Sequence, residues 1–160
     1  MVVLNLALFL AAFMLMEFVA WSNHKYIMHG FLWKWHVDHH RKDNKQYLPE
    51  KTEDKRWEKN DRFFLVYAVP AIVLLITGFS TGLWWMVSIG AGISFYGSIY
   101  FLIHDIVIHK RVNAGFGLIT KTRYFQALIR AHTAHHQPKT KDDFNNFGLL
   151  IFPRRFFNSR

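Results

Sequence analysis

The ten histidines of this 160-residue chain fall in two windows, residues 24–40 and 104–136, and both windows have the same spacing. In each window an HxxxxH pair is followed by an HxxHH triplet. The residues are His24, His29, His36, His39, His40, His104, His109, His132, His135 and His136. Imidazole nitrogens are ligands of zinc, copper, iron and nickel. Ten such rings in a doubled pattern predict a metal centre, and because they are too many for one tetrahedral ion, we expect two ions.

A single histidine on an apolar face is more often a buried core residue than a ligand. Ten crowded histidines are a different case, because each unpaired polar ring costs about 1–3 kcal/mol to bury. Protonated rings at short distances would also repel one another. A bound metal ion removes both problems, which favours the ligand interpretation for the whole set.

The spacing predicts how the rings converge. The HxxHH residues stand at i, i+3 and i+4, so a helix presents all three on one side, and we expect the three rings to converge on a common point. The HxxxxH residues stand at i and i+5, which an ideal α-helix places on diverging faces. Two local structures would bring such a pair together: a π-helical turn, which is frequent at functional sites, or a helix end.

Several carboxylates and one amide are close enough in sequence to the histidines to orient their rings, by accepting the ring N–H that faces away from a metal ion. Asp38 and Asp105 lie within the histidine motifs, and Asn60 and Asp61 precede the second apolar run. Glu17 lies two helical turns before His24, inside the first apolar run. Each is a candidate to hold a ring N–H of a ligand, and a carboxylate within an apolar span is a functional candidate by default. The alternative for each is a surface, capping or interfacial role.

Three apolar runs, at residues 2–21, 63–79 and 83–103, are long enough to cross a membrane as helices. All 20 Lys and Arg residues lie outside residues 1–24 and 63–109. The positive-inside rule therefore predicts that segments 22–62 and 104–160 are cytoplasmic. The bacterial cytoplasmic membrane is the expected location, with the histidine site on its cytoplasmic side.

These observations predict an all-α integral membrane protein of one domain, residues 1–160, with about three transmembrane helices. A cytoplasmic histidine-rich helical cap would hold the dimetal site. Residues 144–157 combine five Phe residues with Arg154 and Arg155 and favour an interfacial segment, with a re-entrant fourth helix as the alternative. The absence of Cys excludes disulfide frameworks, thiolate zinc sites and iron–sulfur clusters. A nucleic-acid partner is not expected, because the basic residues border the spans.

The motifs resemble the membrane fatty-acid-hydroxylase and sterol-desaturase superfamily, and most closely its bacterial-type β-carotene hydroxylases. The resemblance covers nearly the whole chain and rests on the four histidine motifs with flanking residues such as Gly30, Trp35, Tyr96 and the 58–61 and 147–148 segments. It implies a non-haem di-iron centre held by the ten histidines, with zinc able to replace iron in a purified sample. It further implies O2 as co-substrate, electrons from a ferredoxin-type donor, and hydroxylation of carbon 3 of carotenoid β-ionone rings.

Two other functions fit the same residues. One is oxidation of a different lipid, a fatty acyl chain or a sterol, by an enzyme of the same superfamily. The other is metal binding without catalysis, as in a membrane zinc carrier. Product analysis separates the first alternative from carotenoid hydroxylation, and iron-dependent product formation separates the second.

Overall fold

The computed structural model describes residues 1–41, 58–111, 115–138, 140 and 143–158, and these residues form helices and connecting chain with no strand. The α-helices are α1 (Val2–Ser22), α2 (Trp33–Arg41), α3 (Phe63–Thr81), α4 (Trp84–Phe101), α5 (Gly117–Thr120) and α6 (Arg123–His136). Two 3-10 turns cover Lys59–Arg62 and Arg154–Phe157. The all-helical fold class is confirmed. Residues 42–57 and 112–114 of the predicted cytoplasmic segments lie outside the described residues.

Three helical stretches are long and apolar enough to cross a membrane: Val2–Phe31, Lys59–Thr81 and Trp84–Ile108. They contain the predicted spans 2–21 and 63–79, and all of the predicted span 83–103 except residue 83. α3 and α4 form a hairpin, which turns at Gly82 in the left-handed region with φ of 72°. A residue without a Cβ adopts this conformation without steric penalty. Much of the surface of these helices is apolar and faces outward, as at Leu4, Ile76 and Phe79.

α4 lies between α1 and α3 and packs closely against both. A Cβ at Gly92 would lie 2.5 Å from the Phe9 carbonyl oxygen in α1. A Cβ at Gly90 would lie 3.0 Å from the Ala71 carbonyl oxygen in α3. The two glycines therefore allow the three helices to approach at backbone distance, as small residues do between membrane helices.

Both HxxxxH pairs lie where a long helix changes into π-helical turns. α1 continues into π turns over Asn23–Phe31, which are interrupted at Gly30, and α4 continues into π turns over Leu102–Ile108. The His109 N–H donates to the His104 carbonyl oxygen at 3.0 Å, a bond from residue i+5 to residue i. The π-helical solution predicted for the i, i+5 spacing is the one observed, and it brings the paired rings to centroid distances of 5.1 and 4.7 Å.

α2 and α6 carry the two HxxHH triplets, and residues 143–153 run as irregular chain beside them. Thr122 caps the start of α6 by accepting from the Phe125 N–H. The buried side chains Leu128, Ile103 and Leu149 join α6 to the end of α4 and to this chain. Residues 144–157 contain one 3-10 turn and no longer helix, so they do not form a fourth membrane helix, and their interfacial position stays a prediction.

Candidate metal centre

The ten histidines converge into two adjacent groups of buried or half-buried rings. The first cluster, whose ligand atoms lie within 4.8 Å of one another, consists of His24, His29, His36, His40 and His135. The second cluster meets the same distance criterion and consists of His39, His109, His132 and His136. His104 adjoins the second cluster, with its Nε2 3.2 Å from His39 Nε2. The arrangement provides two positions that could each hold one metal ion.

The clusters do not follow the two halves of the sequence. Each HxxHH helix contributes its first and last histidines to one cluster and its middle histidine to the other. His39 of α2 thus joins the second cluster, and His135 of α6 joins the first. The prediction that the three rings of each HxxHH motif converge on a common point is therefore wrong. At 100° per residue, positions i and i+4 lie about 40° apart, whereas i+3 lies about 60° to the other side of i. One helix can therefore serve two neighbouring sites.

The inner nitrogens of the rings face one another at short distances. His36 Nε2 lies 3.1 Å from His24 Nε2 and 3.0 Å from His40 Nε2. His29 and His135 approach to 3.2 Å between their Nε2 atoms, and His109 and His132 approach to 3.0 Å. Nitrogen ligands at about 2.0–2.1 Å from an ion and 90–109° apart are separated by about 2.8–3.4 Å. The observed spacings fall in that range.

The outer nitrogens of five rings lie against oxygen atoms. His24 Nδ1 is 2.9 Å from the Phe147 carbonyl oxygen, and His135 Nδ1 is 2.7 Å from that of Asn145. The side-chain acceptors lie 2.7–3.2 Å from their rings and pair as His36 with Asn60, His39 with Glu58, and His104 with Asp105. A ring nitrogen that faces such an oxygen carries the proton and donates it, which assigns the tautomer.

In this tautomer Nδ1 carries the proton, so the unprotonated Nε2 atoms of neighbouring rings face one another. His24 and His36 both donate through Nδ1, so their two Nε2 lone pairs meet at 3.1 Å with no proton between them. His39 and His104 repeat this arrangement at 3.2 Å. Such contacts are repulsive unless a cation lies between the lone pairs. The residues present therefore fit a metal ion in each cluster.

Burial also keeps the histidine rings of α2 and α6 neutral. Removal from water, with repulsion from neighbouring rings, lowers the pKa of His36 to about 3 and that of His135 to about 4. The same causes lower the pKa values of His39, His40, His132 and His136 well below 6.5. Neutral imidazole is the form that binds metal ions.

The predicted orienting residues divide into two groups. Asn60 and Asp105 lie against ring nitrogens, as described above. Asp38 instead forms an ion pair with Arg41 on α2 at 3.0 Å. Asp61 pairs with Arg111 at 2.8 Å and accepts from the Glu58 N–H. The hydrogen bonds of Glu17 go to Tyr96 and to the backbone of residues 149–151.

Four groups at the site were not predicted to orient the rings, although Glu58 and Phe147 belong to segments that carry the family resemblance. They are the carboxylate of Glu58, the guanidinium of Arg111, and the carbonyl groups of Asn145 and Phe147. Arg111 stands two residues after His109, and Glu58 stands two before Asn60, so closeness to candidate residues was an available signal for these side chains. A backbone carbonyl leaves no signal in residue type.

Near the first cluster, the hydrogen bonds of Glu17 link α1 to α4 and to residues 149–151. Its Oε2 accepts from the Tyr96 hydroxyl at 2.6 Å. Its Oε1 accepts from the N–H groups of Leu149 and Ile151 at 3.0 and 2.9 Å. The chain it holds is the one whose Phe147 carbonyl meets His24. The structure therefore connects Glu17 to the histidines through the backbone of residues 147–151.

Replacing Glu17 with alanine is expected to destabilise the protein by about 2–5 kcal/mol, because buried donors from α4 and residues 149–151 lose their acceptor. Glu17→Gln keeps one carbonyl oxygen and should recover part of the loss. Denaturant unfolding in detergent micelles would measure both changes, with Met16→Leu as the control at the neighbouring buried position. Equal stability of Glu17→Ala and Met16→Leu would contradict the assigned role.

The two clusters have different surroundings. Trp33, Phe144 and Phe147 lie over the first cluster, with centroid distances to the His29 ring of 5.1, 4.6 and 5.1 Å. The second cluster borders a pocket of about 180 Å³. Besides the four histidines of that cluster, the pocket is lined by Glu58, Ile108, Arg111, Thr133 and Gln137. One cluster thus faces aromatic rings, and the other faces polar and charged groups.

Comparison with known proteins gives a consistent result. The sequence profile of a family described as fatty acid hydroxylase matches residues 9–159. A beta-carotene hydroxylase of Pantoea ananas is 39% identical over 138 residues, covering 86% of this chain and 71% of that protein. A beta-carotene hydroxylase of Paracoccus sp. (strain N81106 / MBIC 01143) is 37% identical, covering 93% and 85%.

A plant protein, the chloroplastic beta-carotene 3-hydroxylase of Gentiana lutea, is 37% identical over 87% of this chain and 40% of its own length. No solved structure matches the chain.

Proposed function

The chain belongs to the fatty acid hydroxylase family, and we propose that it is a membrane non-haem di-iron monooxygenase that hydroxylates carotenoids. The substrate class follows from the names of its bacterial relatives, which are 37–39% identical over most of the chain. The proposed reaction is hydroxylation at carbon 3 of each β-ionone ring, from β-carotene through β-cryptoxanthin to zeaxanthin. Each hydroxylation consumes one O2, two electrons and two protons and yields one hydroxyl group and one water.

The metal proposal is carried by one observation, the facing bare Nε2 atoms of His24 with His36 and of His39 with His104. We propose that all ten histidines contribute to two iron sites. Iron bound there would supply the activation of O2 and the removal of the ring hydrogen. Asn60, Glu58, Asp105 and the carbonyl groups of Asn145 and Phe147 keep the rings in the ligand tautomer. Zinc binds nitrogen sites more tightly than ferrous iron, so zinc in a purified sample is compatible with this proposal.

We further propose that the histidine site lies at the cytoplasmic face of a bacterial inner membrane. Three apolar helices support the membrane location, and the basic residues that follow α1 and α4 support the orientation. Because both clusters combine residues from both windows, and the family profile spans residues 9–159, the chain is proposed to form one domain.

The surroundings of the clusters suggest how the reactants approach. A carotenoid dissolved in lipid can reach the ends of α1 and α4 without entering water. The aromatic side chains of Trp33, Phe144 and Phe147 form an apolar surface beside the first cluster, which suits a hydrocarbon ring. Residues 104–160 carry ten basic and three acidic residues. Such a surface favours an acidic, ferredoxin-type electron donor, as well as anionic lipid headgroups.

Expression in cells that accumulate β-carotene tests this function directly. The intact chain should produce zeaxanthin, and a His135→Ala, His136→Ala variant should produce none, because it removes one ligand from each cluster. Gln126→Ala, at an exposed position on α6, serves as the control. Unchanged β-carotene beside iron-loaded intact protein would overturn the carotenoid assignment. Hydroxylated fatty acids in the same cells would then identify the other lipid substrate of the family.

A further inference from the structure

The Nδ1 atoms of the histidine rings face different kinds of hydrogen-bond acceptor at the two clusters. In the first cluster, the three Nδ1 atoms with assigned acceptors lie against neutral oxygens, those of the Phe147 carbonyl, the Asn60 amide and the Asn145 carbonyl. At the second cluster, His39 Nδ1 lies 3.0 Å from the Glu58 carboxylate, and the adjoining His104 lies 3.2 Å from the Asp105 carboxylate. Charge is therefore placed behind the second cluster.

Arg111 connects these carboxylates. Its Nη2 lies 3.0 Å from Glu58 Oε2, its Nε lies 3.2 Å from Asp105 Oδ1, and its Nη1 lies 2.8 Å from Asp61 Oδ1. A continuous path thus runs from His39 through Glu58, Arg111 and Asp105 to His104. The Glu58 and Asp105 side chains are only 8% and 14% exposed, so water screens their charges weakly.

Two of these carboxylates, those of Glu58 and Asp105, lie directly against ring nitrogens at the second cluster. A carboxylate behind a ligating imidazole fixes the ring and makes it a stronger electron donor to the metal. It also balances part of the charge of a cation. Carbonyl and amide oxygens fix the ring in the same way, but they bring no net charge. The two ion positions therefore differ electrostatically although both are built from histidine.

We propose that Glu58, Arg111 and Asp105 are positioning residues that make the second cluster the tighter metal site, because carboxylates lie behind its rings. Uncharged oxygens lie behind the rings of the first cluster, which faces the aromatic surface. The proposal rests on the proposed function, since it presumes one ion in each cluster. The proposal gives the two ions different surroundings. The ion of the first cluster lies beside the surface suited to the hydrocarbon, and the ion of the second lies beside the polar pocket.

Single-site proteins separate the two affinities. His36→Ala with His135→Ala leaves the second cluster complete, and His109→Ala with His132→Ala leaves the first complete. Each full-length protein in detergent is loaded with Co²⁺ alone, and the affinity is measured by competition with a chelator, followed by the visible absorption of bound Co²⁺. Glu58→Gln is then added to both backgrounds. We expect 10- to 100-fold weaker Co²⁺ binding at the second cluster, the usual effect of losing an outer partner, and less than about 3-fold change at the first.

Two further variants make the result specific. Asp38→Asn removes a carboxylate that pairs with Arg41 at 3.0 Å on the same helix as His39, and it should leave both affinities unchanged. Asn60→Asp places a carboxylate behind His36, and it should tighten Co²⁺ binding at the first cluster. Equal weakening of both sites by Glu58→Gln, or an unchanged first site in Asn60→Asp, would overturn the inference. Absence of Co²⁺ binding by the unaltered protein would instead overturn the proposed function.

Discussion

Replacing His36 and His135 together with alanine should leave one bound metal ion per chain, whereas replacing His132 and His135 together should leave none. His36 and His135 belong to the same cluster although they are 99 positions apart, so their joint loss empties one site and spares the other. His132 and His135 share the motif HTAHH but belong to different clusters. Their joint loss removes a ligand from each site.

The number of bound metal ions per chain distinguishes the two variants. It is measured after metal loading and exposure to a chelator of intermediate strength. Both variants carry two alanines in place of buried histidines, so each is the matched control of the other, and circular dichroism checks that the helices persist. If the clusters followed the halves of the sequence, the outcome would be reversed. Product formation should fall at least 100-fold in both variants, because we propose that the reaction needs both ions.

The metal-free protein should lose stability steeply in acid. The folded-state pKa values of His36 and His135 are lowered to about 3 and about 4, whereas unfolded histidine has a pKa of about 6.5. The stabilising contribution of each neutral ring is therefore fully present above pH 6.5 and is lost as the pH falls toward the folded-state pKa. At pH 4.5 the unfolded chain is favoured by about 2–3 kcal/mol for each of these rings. The combined loss is comparable to the whole stability of many domains.

Thermal unfolding of the chelator-treated protein in detergent, followed by the fluorescence of its six tryptophans, tests this expectation. The melting temperature should fall by about 15 °C or more between pH 7.5 and pH 4.5. In the metal-loaded protein, bound ions add stability at pH 7.5. This gain should shrink in acid, because protons compete with the metal for the same nitrogens. A melting temperature independent of pH would show that the metal-free protein does not bury these rings in the neutral form.

Several features of this protein were predictable because their causes are local. Apolar runs of sufficient length without Lys or Arg mark the three spans, and the structure has apolar helices at all three. The i, i+5 pairs require π turns or helix ends to converge, and the structure has π turns at both. Residue type and spacing singled out the ten histidines, the family resemblance made them the expected ligand set, and all ten lie in or beside the two clusters.

The partners behind the rings were predictable only in part. Asn60 and Asp105 lie against ring nitrogens, but Asp38 and Asp61, chosen by the same criterion of closeness in sequence, pair with arginines instead. Glu58 and Arg111 were not chosen, although they complete the network at the second cluster. Which carboxylate reaches a ring depends on how the turn before α3 packs against α2 and on its ion pairs with Arg111. No spacing within one segment contains that information.

The doubled histidine pattern and the apolar runs thus indicate, from the sequence alone, that the ten histidines come together and which helices are long and apolar enough to cross a membrane. The tertiary structure alone decides that His39 and His135 exchange clusters, that Glu17 holds the backbone of residues 149–151, and that one cluster is backed by carboxylates and the other by neutral oxygens. These features depend on contacts between segments far apart in the chain. Such contacts follow from packing the whole bundle, where a rotation of one helix changes every partner at once.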